Sequence, residues 1–298
     1  MKIAITGSSG LIGTALVAAL RRDGDDVLRL VRRAPKSGDE IRWDPAAPGG
    51  GLEPGALDGV GAVVNLAGAG VADHRWTASY KEQIRTSRVV STRTLAGVLA
   101  DMDGGPSVLL SGSAIGWYGD TGGQEVDESA PGGTGFLAGV VRDWEAAADP
   151  AQRAGLRVVT LRSGIVITRQ GGMLARLLPL FRLGLGARLG PGTQVMSWVA
   201  LPDWTRMARF LLDHPEMSGP VNLTTPEPVT NAEFTSALAA TLHRPAALAV
   251  PSPVLTLALG EVTSDLLSSA RVVPRRLRDA GFEFSLPSLA GALAAELG

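Results

Sequence analysis

Short apolar runs alternate with segments of helical spacing along the first half of the chain. KIAIT leads into the glycine-rich GSSGLIG. TALVAALRRDG follows, with apolar residues at Leu16, Val17 and Leu20, the spacing of a buried helix face. DVLRLV and GAVVNLAGA read as further strands, the second ending in small residues. SVLLSGS and LRVVTLRSGIVI continue the series, with helices predicted over 77–101 and 137–149. The strands are nearly unbroken apolar runs, as strands covered on both faces must be. Their alternation with helices predicts an α/β chain with a parallel, doubly wound sheet.

The pattern changes after about residue 168. A helix and a glycine-rich loop occupy GGMLARLLPLFRLGLGARLGPGTQ, and a strand and helix occupy VMSWVALPDWTRMARFLLDHP. GPVNLTT is a short strand. NAEFTSALAATLHRP is a helix for which Asn231 is the plausible N-cap. A further helix is predicted near 254–268, followed by a small unit, RVVPRRLRDAGFEF. The expected division is a nucleotide-binding domain over 1–168, to which 196–224 returns, and a smaller C-terminal lobe over 169–195 and 225–298. Residues 44–59 carry several breakers and read as a loop, not a linker.

Composition narrows the function classes. The 298 residues are 45% hydrophobic, enough for a sizeable core, and the net charge of −1 comes with no basic block, which disfavours nucleic acid as a partner. With no cysteine, disulfides and thiolate metal sites are excluded. MKIAITG reads as a strand entering a turn, so no signal peptide is expected. No apolar stretch reaches about 18 residues without a charge or breaker, so no membrane span is expected and the cytoplasm is the simplest location.

TGSSGLIG places Gly7, Gly10 and Gly13 between the first strand and first helix. A tight turn needs glycine, a pyrophosphate needs close backbone approach, and a helix N-terminus offers free N–H groups. No G-K-[ST] follows, which disfavours a P-loop nucleotidase. At the tip of the second strand a site for NAD usually carries an acid for the ribose hydroxyls. Here Asp23, Asp25 and Asp26 precede the strand, whereas Arg32 and Arg33 stand at its tip. A guanidinium can fork onto a 2′-phosphate, so NADP is the preferred dinucleotide. A methyltransferase using the same loop would be indifferent to Arg32.

These stretches resemble an extended, atypical short-chain dehydrogenase/reductase, and more closely its sugar-epimerase-like branch with a C-terminal domain of unknown function. NLAGAGV, RWTASYKEQIRTSR, SAIGWYGD, FLAGVVRDWEAAA, LRSGIVI, LPLFRLGLGARLGPGTQVMSW, GPVNLTTPEPVTNAEF and LLSSARVVPRRLRDAGFEF carry the likeness over almost the whole chain, in order. The resemblance implies a Rossmann sheet of about seven strands with a smaller substrate lobe. It implies NADP(H) held by the first loop (Gly7, Ser9, Gly10, Leu11, Ile12, Gly13), by Arg32 with Arg33 beside it, by Leu66, Ala67 and Gly68, by Gln83 and Arg88, and by Val166. It also implies a small-molecule substrate, in the branch a nucleotide-sugar, and a monomer or homodimer.

Such enzymes usually carry Tyr-x-x-x-Lys, in which lysine lowers the tyrosine pKa from about 10. The chain has none: Tyr80 is followed four residues on by Ile84, and Tyr118 by Gly122. In the helix where the pair belongs, Phe136, Leu137, Val140 and Val141 fill the candidate positions. That leaves Ser113, at a strand end where open α/β sheets place ligands, to hydrogen-bond the reacting oxygen. Tyr118 is the second catalytic candidate, and Glu125, Asp127 or Glu128 could supply a base. His74, His214 and His243 show no metal-ligand spacing. On the substrate side stand Arg188, Gln194 and Trp198. The branch tends to have His and Asp where this chain has Ala200 and Pro202, while Asp203 remains. The two readings are an NADP-dependent oxidoreductase or epimerase acting at a carbinol or carbonyl carbon, and a non-catalytic NADP(H)-binding sensor or scaffold.

Overall fold

The computed structural model describes residues 1–53 and 55–298. Seven parallel strands form the central sheet: Lys2–Thr6 (β1), Asp26–Val31 (β2), Glu40–Arg42 (β3), Ala62–Asn65 (β4), Val108–Ala114 (β5), Arg157–Ser163 (β6) and Gly219–Leu223 (β7). Their spatial order is β7-β6-β5-β4-β1-β2-β3. The order reverses between β1 and β4, and at that point an open sheet forms a crevice beyond its carboxyl ends.

One face of the sheet is covered by Leu11–Arg22 (α1) and the other by Ala78–Ala100 (α2) and Phe136–Ala146 (α3). Leu201–Asp213 (α4) joins α1, burying Trp204, Met207, Ala208 and Leu211 against Leu16 and Leu20. That spacing is the helix-face pattern, and Pro202 in its first turn costs no hydrogen bond. On the opposite face Leu95, Ala96 and Leu99 of α2 pack on Ala4, Val63 and Leu109.

Three local outcomes differ from the hydropathy reading. The apolar run 156–167 is two strands, because the backbone turns out of the sheet at Gly164, where an added Cβ would lie 2.9 Å from the Ser197 carbonyl oxygen. Ile165–Ile167 then pairs with Trp198–Ala200 in a separate ribbon. The helix over 254–268 is broken into Ser252–Leu259 and Val262–Leu266 by Gly260, whose φ is +71°. The N-cap of Asn231–Thr241 is Thr230, not Asn231. Thr230 Oγ1 accepts from the Glu233 N–H, and Glu233 answers by accepting from the Thr230 N–H. Asn231 instead accepts from the Leu189 N–H at 2.7 Å, tying the glycine-rich loop to the helix.

A separate core cluster gathers Leu174, Leu178, Phe181, Trp198, Phe234, Leu238 and Leu293 from the second half of the chain. The tail does not all belong to it. Leu277 and Phe282 pack into the main core, and Asp203, 1% exposed, accepts from the Ser285 and Leu286 N–H groups. Removing the capping box with Thr230→Ala is expected to cost about 1 kcal/mol of stability. Denaturant titration checks this; an unchanged midpoint would mean that the cap contributes nothing.

Candidate functional site

The glycine turn stands at the carboxyl end of β1, beside the sheet reversal. Gly7 has a φ of +65°, and a Cβ there would lie 2.5 Å from the Leu66 carbonyl oxygen. A Cβ on Gly13 would lie 2.2 Å from the Gly7 carbonyl oxygen. Both glycines are therefore required by close backbone approach. Gly10 occupies the N-cap of α1 and supplies no side-chain cap, so the first-turn N–H groups stay free of one. Ser9 is exposed beside it. Ile12, Leu66 and Val166 come together as half-buried side chains on the rim of one core cluster.

Beyond β4 the chain is held by polar contacts. Asn65 Oδ1 accepts from Thr6 Oγ1 at 2.6 Å, and Asn65 Nδ2 donates to Thr92 Oγ1 at 2.8 Å. Trp144 Nε1 also donates to Thr92, joining α3 to the same frame. Gly68 lies against Arg88, whose Cζ would be 3.2 Å from an added Cβ. Arg88 donates to the Ile84 carbonyl and lies over Trp144, and it forms no ion pair among the described residues. Burial pushes its pKa down. Ala67 sits beside Gly68, and Gln83 is exposed on α2.

The two arginines at the tip of β2 have different surroundings. Arg33 forks onto Glu40, whose carboxyl also accepts from the Lys36 N–H. The Arg33 hydrogen bond, with help from that N–H, brings the Glu40 pKa down to about 2. Arg32 is exposed and has no ion pair among the described residues.

At the end of β5, Ser113 Oγ donates to Glu145 Oε1 on α3 at 2.6 Å. Arg162 on β6 grips the same carboxylate twice, Nε to Oε1 at 2.8 Å and a terminal nitrogen to Oε2 at 2.9 Å. Its other terminal nitrogen donates to the Tyr118 hydroxyl at 3.0 Å, and that hydroxyl donates to Asn222 Oδ1 at 2.7 Å. Burial works against the charge of Arg162, but the Glu145 hydrogen bond and charge hold its pKa above the ordinary value. Its guanidinium also lies 4.1 Å from the Trp117 ring centre.

Tyr118 is 4% exposed, and burial raises its pKa despite Arg162. Its hydroxyl faces Arg162 and Asn222 inside the protein. Phe136 and Leu137 are half-buried and pack with Val140, and Val141 is buried. Asp127 is engaged by Ser129 and Arg275, and Glu128 accepts from the Asn222 and Arg276 N–H groups. Burial raises the Glu128 pKa. Glu125 is exposed. His74 is exposed and meets Tyr80 edge-on, His214 bonds the Phe210 carbonyl, and His243 is exposed at a helix end. Among the described residues no metal-ligating cluster forms, and no helix is long and apolar enough to cross a membrane.

On the substrate side, Arg188 is exposed, and Trp198 is buried and donates to the Glu227 carbonyl. Gln194 is buried with its Oε1 unpartnered among the described residues. Two depressions of about 220 and 390 Å³ lie away from Ser113, beside the carboxyl end of α2.

Glu145 and Arg162 were missed by the sequence reading. The available signal was a charge inside an apolar strand, VVTLRSG, since a buried guanidinium demands a partner.

A parallel sheet with this strand order and a glycine turn at its reversal define a Rossmann-type nucleotide-binding fold. The family model for the NAD dependent epimerase/dehydratase family matches residues 3–223, and a domain of unknown function (DUF1731) matches 250–296. The chain belongs to that epimerase/dehydratase family, as the quoted motifs implied. It is 48% identical over 292 residues to an epimerase family protein of Mycobacterium bovis, covering 98% of this chain and 96% of the relative. The human epimerase family protein SDR39U1 (isoform 2), solved with NADPH, superposes with a TM-score of 0.90 at 31% identity, covering 99% of each chain. A Thermus thermophilus UDP-glucose 4-epimerase complex with NAD shares the fold, with a TM-score of 0.79 at 19% identity, covering 99% of this chain and 97% of that one.

Tyr118→Phe removes a hydroxyl that serves two buried partners. It is expected to lower stability by about 1–3 kcal/mol, because Asn222 Oδ1 loses its donor. A denaturant midpoint equal to wild type would place that hydroxyl outside the network.

Proposed function

We propose that the protein is an NADP-dependent oxidoreductase or epimerase acting at a carbinol or carbonyl carbon. The glycine cradle carries this reading: at both Gly7 and Gly13 a Cβ would collide with backbone, and the free first turn of α1 opens beside them. That is the arrangement a pyrophosphate needs. Arg32, with no ion-pair partner among the described residues, would take the 2′-phosphate, while Arg33 braces the turn through Glu40. Arg88, a desolvated cation next to Gly68 with no ion-pair partner among the described residues, would take a further anionic part of the dinucleotide. Leu66, Ala67 and Val166 would line its path, with Gln83 at the edge. The NADPH bound to the human relative supports the choice of dinucleotide.

The nicotinamide, when bound, supplies a hydride acceptor or donor. Ser113 would hold the reacting oxygen, since it stands at the carboxyl end of β5, the strand next to β4 at the sheet reversal. Tyr118 would support Arg162 from behind and not touch the substrate. A nucleotide-sugar suits the family, and the UDP-glucose 4-epimerase that shares the fold supports only the architecture.

The apolar side chains at Phe136, Leu137, Val140 and Val141 favour a second reading, an NADP(H)-binding sensor or scaffold. NADPH consumption against a panel of carbonyl compounds separates the two: tight binding with no turnover supports the sensor. In either case Arg32→Ala is expected to weaken NADPH by roughly tenfold or more and NADH little, the loss of a charge-assisted contact. Fluorescence titration of both nucleotides checks this. Equal losses would overturn the assignment of Arg32 to the 2′-phosphate.

A further inference from the structure

The hydroxyl proton of Ser113 is already committed. That proton points at Glu145, 2.6 Å away, in a carboxylate already gripped by Arg162. What remains free on Oγ is its capacity to accept a hydrogen bond. Arg162 is 3% exposed in its side chain and fixed from a second side by Tyr118, so the carboxylate has little freedom to turn away. Glu145 keeps 13% exposure, a route by which a proton can return to water. An oxygen that gives its proton to a held carboxylate is an activated oxygen.

We propose that Glu145 acts through Ser113 as its base partner, and that this pair takes the place of the missing tyrosine and lysine. The proposal rests on the reading that Ser113 meets the reacting oxygen. In the oxidative direction, the carbinol O–H proton passes to Ser113 Oγ as the Ser113 proton passes to Glu145. A bound nicotinamide would supply the two-electron acceptor for the hydride of the carbinol carbon. The reverse direction returns the proton from Glu145 through Ser113 to the nascent alkoxide. Arg162 is a positioning residue for the carboxylate, and Tyr118 and Asn222 position Arg162.

The activation of Ser113 can be read without knowing the substrate. A small acyl donor, p-nitrophenyl acetate, is attacked by Oγ. The new Oγ–carbon bond forms as the bond to p-nitrophenolate breaks, and the serine proton goes to Glu145. Peptide mass mapping distinguishes an acetyl group on Ser113 from one on Lys2, Lys36 or Lys81. Wild type should be acetylated at Ser113, and Ser113→Ala should not. Glu145→Gln should slow the reaction about 100-fold or more, the usual scale of a general base. Glu145→Asp, which keeps a carboxylate, should recover part of the rate. NADPH titration of the same variants reports their fold and tests the cofactor reading separately, because acetylation needs no nucleotide. Absence of acetyl on wild-type Ser113, or equal rates in wild type and Glu145→Gln, overturns the proposal.

Discussion

The Arg162–Glu145 pair is the interaction on which the interior of the site depends. It joins β6 to α3, reaches β5 through Ser113, and reaches β7 through Tyr118 and Asn222. Taking both charges from water is costly, and hydrophobic residues of similar volume are often as stable in such places. The pair therefore has a poor claim as a stabilising device. Its geometry explains it better: a planar fork held at three corners fixes the directions of a carboxylate, a serine and a tyrosine together. Removing one partner leaves the other charge buried, so the network tolerates loss poorly.

The same network changes what Ser113 and Tyr118 mean. Close in sequence, they look like an acid and its helper. In space a buried arginine lies between their roles. Tyr118 turns inward, its ionisation made harder by burial, and serves the guanidinium. Ser113 turns toward a carboxylate thirty-two residues further on. A short-chain enzyme normally lowers a tyrosine's pKa with a lysine; here the cation sits beside tyrosine but faces the core, and the residue that reaches the carboxylate from the strand end is serine.

How much of this was legible follows from the kind of signal each feature leaves. Sheet strands such as IAI and AVV are buried on both faces and read as apolar runs, and the turn at Gly7–Gly13 reads as glycines because backbone collides there. The short edge strand β3, EIR, has no such run and was not anticipated. Glu145 left little trace, since DWEAAA looks like any helix with a charge toward water. Its partner was more telling: Arg162 interrupts VVTLRSG, and a strand of a parallel sheet has no solvent for a guanidinium. Arg32 and Arg33 are indistinguishable in sequence; Glu40, seven residues past Arg33, separates their roles only once β3 lies beside β2.

The C-terminal tail is bound into this frame and not attached beside it. Asn222, which accepts from Tyr118, donates through Nδ2 to the Val273 carbonyl. Ser197 donates to the Ala270 carbonyl and accepts from the Val272 N–H, and Arg271–Val272 pairs with Glu125–Val126 just after the WYG turn. Glu128 closes the loop by accepting from the Arg276 N–H. These are buried or half-buried groups whose partners lie on segments about 50 to 150 residues away, and each would lose its partner if the tail withdrew. The segment matched by the domain of unknown function is thus part of what holds Asn222 in place. Through Asn222, Tyr118 and Arg162 it bears on the direction in which the Glu145 carboxylate faces Ser113.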